Sequence, residues 1–78
     1  MEIEEKVKSL VVDKLKVDAE QVRLDSKFND LGADSLETMD LIMAFEDAFQ
    51  ITIEDQDMAK ITTVGEAIDF IKQKKATA

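Results

Sequence analysis

Residues 34–49 restrict the possible folds more than any other stretch of the chain. Asp34, followed three places on by Glu37, has the spacing of a helix capping box. Projected at about 100° per residue, the positions beyond it divide into two apolar groups. Thr38, Leu41, Ile42, Phe45 and Phe49 fall on one side, the stripe with which a helix meets a core. Leu36, Met39 and Met43 fall on nearly the opposite side, with Asp40, Glu46 and Asp47 in or beside the same arc. A surface helix needs only one apolar stripe. Either this helix is buried all round, or its second stripe serves something outside the chain. Full burial would take the carboxylates out of water with no cation nearby in sequence, which is costly. The second stripe therefore reads as a docking surface, with apolar knobs, two of them adaptable methionines, inside an acidic ring. Its complement is an apolar hollow rimmed by Lys or Arg.

The other segments fit around that helix. Ile3, Val7, Leu10, Val11 and Leu15 follow the rhythm of one buried helical face, with acids early and lysines late, as the helix dipole favours. Residues 16–34 read as a connector held to the core by Val17, Val22, Leu24, Phe28 and Leu31. Asp18 and Gln21 have capping-box spacing, enough to start a single turn, and Gly32 belongs to a turn. A connector of roughly twenty residues in so small a chain is functional or structured by its own side chains. Ile51-Thr52-Ile53 reads as an extended crossing and residues 54–61 as a short helix of about two turns. Thr63, with Glu66 three places on, caps a last helix whose stripe is Val64, Ala67, Ile68 and Ile71. The expected fold is all-α: an irregular four-helix bundle of three longer helices and one short one, with a long structured loop between the first two. Its 78 residues make one domain, 1–78, with a single small core.

Charge and missing residue types narrow the function. Eighteen acids face ten bases, a net charge of −8, which argues against nucleic acid and against a polybasic membrane anchor. The charge is concentrated: residues 28–59 hold nine acids and no base, while the rest of the chain is nearly neutral. No Cys means no disulfide and no thiolate nucleophile, and no His removes the Ser-His-Asp triad and the commonest metal ligand. No catalytic residue and no metal site are expected. No apolar run approaches a membrane span, and the opening Met-Glu-Ile-Glu-Glu is unlike a signal or transit peptide. A monomer is expected.

Ser35 stands at the first helical position, directly after the Asp34 cap. Unpaired N–H groups and partial positive charge at a helix start would favour a phosphate there by about 0.3–1 kcal/mol. Serine is common at helix starts, so Asp-Ser-Leu alone carries little. The longer string Leu31-Gly32-Ala33-Asp34-Ser35-Leu36-Glu37, followed by an acidic amphipathic helix, closely resembles the acyl carrier proteins of dissociated (type II) fatty acid synthesis. The resemblance spans nearly the whole chain, including Leu41 through Phe49 and Lys60-Ile61-Thr62-Thr63-Val64 before the last helix.

The resemblance implies that 4′-phosphopantetheine is attached to Ser35 by a phosphopantetheinyl transferase, and that its thiol carries acyl chains as thioesters. It implies that Asp34 helps organise the transferase metal, beside its capping role, carboxylate oxygens being suited to a hard cation. It also implies that Leu36, Glu37, Met39, Asp40, Met43, Glu46 and Asp47 meet basic-surfaced fatty acid synthesis enzymes. Leu41, Ile42, Phe45, Ile53, Ala59, Ile61 and Ile68 resemble the lining of a cavity that shelters the acyl chain. The location implied is the bacterial cytoplasm, or an organelle matrix or stroma for a mature form. The missing residues agree with this. A chain without Cys needs a borrowed thiol and offers no competing one, and a chain without His leaves nothing beside Ser35 to hydrolyse a thioester. Three departures stand out: a shorter loop before Leu31, Glu54 where proline is frequent, and Met39 where valine is usual.

Three other readings remain to be weighed. A carrier of polyketide, aminoacyl or aryl cargo would use the same arm. A calcium sensor would share the size, charge and Met content, but no window supplies the alternating oxygens, central Gly and twelfth-position Glu of an EF-hand loop. An unmodified acidic adaptor would share the charge and would not need Ser35.

Overall fold

The fold was obtained as a computed structural model and is described for residues 2–77. Four α-helices follow one another: α1 Glu2–Leu15, α2 Ser35–Phe49, α3 Asp55–Met58 and α4 Val64–Thr77, with one 3-10 turn at Ala19–Gln21. α1 packs against both α2 and α4. Among the described residues there is no β-strand, only one isolated antiparallel bridge between Lys27 and Thr63. The all-helical class expected from the periodicity is the one found.

The core is the meeting of the expected stripes. α1 contributes Val7 and Val11, α2 contributes Leu41, Ile42, Phe45 and Phe49, and α4 contributes Val64, Ala67, Ile68 and Ile71. Val22, Phe28 and Ala33 of the long loop close it, together with Ile53 and Ile61. Ile3, Leu10 and Leu15 lie at its edge.

The helix ends follow from local chemistry. α1 stops where Lys16 turns left-handed at φ 56°, and α2 stops likewise at Gln50, φ 57°. α2 has no base of its own, so two other helices serve its C-terminal end. Lys6 of α1 sits 5.5 Å from the Phe49 ring centroid and bonds the Ala48 carbonyl at 3.4 Å; Lys75 of α4 donates to the Phe49 carbonyl at 3.2 Å. Cations are favoured at the negative end of a helix dipole.

Two expectations need correcting. The short helix is one turn, Asp55–Met58, rather than two. Asp55-Gln56-Asp57 has no apolar stripe to extend, and only Met58 packs partly against the core. Leu24 is no anchor: its side chain is 54% exposed. Its backbone does the holding instead, the Leu24 carbonyl accepting the Gly65 N–H at 2.8 Å.

Candidate functional site

The long loop delivers its last residues as a tight turn. Gly32 takes φ +91°, a conformation open to glycine at little cost, and its N–H bonds the Asn29 carbonyl at 3.1 Å. Ala33 is buried and donates to the Phe28 carbonyl at 3.1 Å. The chain then leaves the core at Asp34, which is extended and caps α2. Its Oδ1 accepts the Glu37 N–H at 2.8 Å, and its carbonyl accepts both the Thr38 N–H and the Thr38 hydroxyl. No bond returns from the Glu37 carboxylate, so the expected box is half formed. A fully reciprocal box is formed at α4, between Thr63 and Glu66.

Ser35 is therefore the first residue of α2 and is exposed. Among the described residues no hydrogen bond engages its hydroxyl, and none engages the Ser35 or Leu36 N–H groups, as is usual for first-turn donors. Beside Ser35 lies an open hollow of about 260 Å³. Phe28 and Asn29 form one wall, Ser35 and Thr38 another, and Met58, Ala59, Ile61 and Thr62 the third.

Two of those walls are joined by backbone. The Phe28 N–H bonds the Thr62 carbonyl at 3.1 Å, and the Val64 N–H bonds the Ser26 carbonyl at 3.0 Å. Glu66 holds the Thr62–Thr63 corner from the other side. Its Oε1 accepts from the Thr62 and Thr63 N–H groups at 3.1 and 3.0 Å, and from both hydroxyls. These donors, Thr62 foremost, hold the Glu66 carboxyl below its ordinary pKa, because each favours the ionised form. Gly65 completes the seam: a Cβ there would lie 2.7 Å from the Leu24 carbonyl oxygen. Neither Gly65 nor the Thr62 contact was read from the sequence. A glycine directly after a Thr-Thr-Val cap was the available sign.

The outer face of α2 is open. Leu36 is 73% exposed, Met39 49% and Met43 57%, so full burial of this helix is excluded. Glu37, Asp40 and Asp47 are exposed among them. Glu46 is placed differently from the other acids grouped with that face. It is half-buried, and its Oε2 accepts the Ile53 N–H at 2.9 Å, fastening the α2–α3 connection. Among the described residues the single ion pair joins Lys72 and Glu4, so the acids of α2 have no internal counter-ion.

Six of the seven residues expected around a chain-sheltering cavity, Leu41, Ile42, Phe45, Ile53, Ile61 and Ile68, are buried in the core. Of these, Ile61 reaches the hollow beside Ser35. Ala59 is exposed rather than part of the core and sits at the hollow's rim, because α3 ends just before it. Among the described residues no group of three or more His, Cys, Asp or Glu could hold a metal ion, and no helix is long and apolar enough to cross a membrane.

A family model described as the phosphopantetheine attachment site matches residues 5–71. The chain belongs to that family. It is also similar to an acyl carrier protein of high thermal stability from Enterococcus faecalis, at 35% identity and a TM-score of 0.80, over 94% of each chain. The four-helix arrangement is thus that of acyl carrier proteins. Membership makes the chain a carrier and not a catalyst, with covalent 4′-phosphopantetheine as its cofactor. A carrier without Cys must take its thiol from such a cofactor.

Proposed function

We propose that the chain carries fatty acyl groups as thioesters on a 4′-phosphopantetheine arm attached to Ser35, and presents them to basic-surfaced enzymes of dissociated fatty acid synthesis. The observation that carries this reading is the setting of Ser35. It combines an exposed, unengaged hydroxyl at the first position of α2, an adjoining hollow walled in part by Phe28, Met58 and Ile61, and a neighbouring acidic face with exposed Leu36, Met39 and Met43. Residues 1–78 act as one carrier domain, a monomer, in a bacterial cytoplasm or an organelle matrix or stroma.

The residues present fit the arm. The Ser35 and Leu36 N–H groups would be available to a phosphate on Ser35, and the helix start would favour its negative charge. Bound there, the arm supplies the thiol to which acyl groups are esterified. The chain's own residues do the rest. Asp34 fixes Ser35 at the helix start through its cap and keeps a second carboxylate oxygen for the transferase's metal. Phe28, Met58 and Ile61 give an acyl chain apolar wall close to its point of attachment, with Leu41, Ile42, Phe45, Ile53 and Ile68 behind them. Leu36, Met39 and Met43 enter apolar pockets on the partner, while Glu37, Asp40 and Asp47 steer its cations and set the association rate. Glu46 contributes negative potential from its place against Ile53.

The test is elongation in a reconstituted dissociated fatty acid synthesis system with this protein, carrying its arm, as the only carrier. The expected result is a ladder of saturated acyl chains on the protein, seen by intact mass. Loading by aminoacyl, aryl or polyketide enzymes, with no elongation by the fatty acid enzymes, would refute the fatty acid assignment and leave the carrier role in place.

A further inference from the structure

The third wall of the hollow beside Ser35 is a strap with few attachments. Met58, Ala59 and Ile61 face the hollow from residues 54–61, the stretch that contains α3. Among the described residues, every hydrogen bond made by residues 54–61 joins two members of that stretch. Its side-chain anchors are Ile61, which is buried, and Met58, which packs partly against the core. Its polar attachment lies at its two borders. Before it, Glu46 Oε2 accepts the Ile53 N–H at 2.9 Å. After it, Glu66 Oε1 accepts the Thr62 and Thr63 N–H groups at 3.1 and 3.0 Å, and the Thr62 carbonyl accepts the Phe28 N–H. Neither Glu46 nor Glu66 lines the hollow.

We infer that Glu46 and Glu66 are positioning residues for the sheltered acyl chain: by pinning both borders of the strap, they set how closely Met58, Ala59 and Ile61 cover it. The two tethers are built alike. In each, one carboxylate oxygen on a long, well-packed helix accepts backbone N–H groups from an adjoining irregular segment. An ionised acceptor makes a stronger hydrogen bond than a neutral one. The helices behind the two carboxylates are firmly held: Phe45 beside Glu46 and Ala67 beside Glu66 are wholly buried. The carboxylates therefore pass the rigidity of α2 and α4 to a stretch whose single helical turn has no buried residue. That turn cannot stiffen the strap by itself, since an isolated turn is costly to nucleate. When a border bond is lost, the strap opens locally while α1, α2 and α4 stay packed, because only Met58 and Ile61 tie its side chains to their core. The arm's cargo then meets water more often. The inference rests on the carrier reading and gives two carboxylates outside the hollow a part in it.

The test uses the full-length protein carrying an octanoyl or an acetyl thioester on its arm, treated with hydroxylamine. The amine attacks the thioester carbonyl and the C–S bond breaks. The products are the hydroxamate and the free arm thiol, counted by intact mass. Glu46→Ala and Glu66→Ala are each expected to raise octanoyl cleavage about three- to tenfold, and cleavage of the short acetyl group less than about twofold. Glu46→Gln and Glu66→Gln keep an accepting oxygen and should stay within about twofold of the parent. Val11→Ala, which removes buried volume from α1 outside the strap, controls for lost stability at large. It should lower Tm and leave octanoyl cleavage within about twofold of the parent. Alanine variants that cleave no faster than Val11→Ala, glutamine variants as fast as the alanine ones, or acetyl rates that rise equally would overturn the inference. So would a parent whose octanoyl chain is cleaved as fast as its acetyl group. Amide exchange on the arm-free proteins reads the strap without any cargo. Met58 and Ile61 should exchange faster in both alanine variants than in Val11→Ala, and unchanged exchange would overturn the tethers. A parent that accepts no arm refutes the carrier reading, and the exchange pattern then decides by itself whether the two carboxylates hold the strap.

Discussion

Gly65→Ala sets two physical effects against each other, and the structure decides the sign. Gly65 is the second residue of α4, where alanine is the better helix former by about 0.5–1 kcal/mol. Its added Cβ would lie 2.7 Å from the Leu24 carbonyl oxygen, a backbone atom that cannot rotate aside. That same oxygen accepts the Gly65 N–H at 2.8 Å, so relief of the clash lengthens or breaks the bond. Overpacking costs about 1–3 kcal/mol and a lost hydrogen bond about 0.5–1.5 kcal/mol. After the propensity gain, the expected net loss centres on about 2 kcal/mol, which for a chain this short lowers Tm by about 8–16 °C. The damage should spread to the wall of the hollow, since Leu24, Ser26 and Phe28 are paired in series with Gly65, Val64 and Thr62. Thermal and urea unfolding by circular dichroism give the stability, and amide exchange at Phe28 and Val64 gives the local effect. Gly32→Ala is the comparison. Nothing lies within 4 Å of its added Cβ, so its cost of about 1–2 kcal/mol comes from φ +91° alone, and Val64 exchange should stay as in the parent. A Gly65→Ala protein as stable as the parent, with Phe28 and Val64 still protected, would refute the reasoning.

Two further outcomes follow from the same contacts. The folded Glu66 carboxyl titrates below its ordinary value, so its stabilising contribution is complete above the unfolded pKa of about 4.3 and is lost as pH falls through the folded value. Tm measured from about pH 6 down to about pH 3 should therefore fall less steeply for Glu66→Gln than for the parent, and parallel curves would contradict the clamp. The acids of residues 28–59 have no ion-pair partner among the described residues and repel one another, so raising ionic strength from about 0.01 to 0.3 M should raise Tm, and a melt indifferent to salt would show them already well separated.

Where the sequence could be read and where it could not has a common physical cause. Helical periodicity and capping act over three or four residues, so α2 from Ser35 to Phe49 and the Thr63–Glu66 box could be read directly. The exposed stripe of Leu36, Met39 and Met43 was legible because the opposite stripe already accounted for the core. Long-range backbone pairing has no such local sign. The bridge at Lys27 and Thr63 joins residues far apart in the chain, and it turned Leu24 from a supposed anchor into an exposed side chain on a fixed carbonyl. Glu46 looked like its acidic neighbours on the helical wheel. Only the path of the chain after Gln50 brings the Ile53 N–H to it. α3 was overestimated because three acidic and polar residues with one Met have no period to mark an end.

The setting of Ser35 is the centre of the account, and one measurement addresses it directly. The folded protein, without its arm, is incubated with coenzyme A, Mg²⁺ and a broad-specificity phosphopantetheinyl transferase, and its intact mass is recorded. The account predicts the addition of a single phosphopantetheine, mapped to Ser35 by peptide fragmentation and absent from Ser35→Ala. No added mass on a folded sample, or an arm retained by Ser35→Ala, would contradict it.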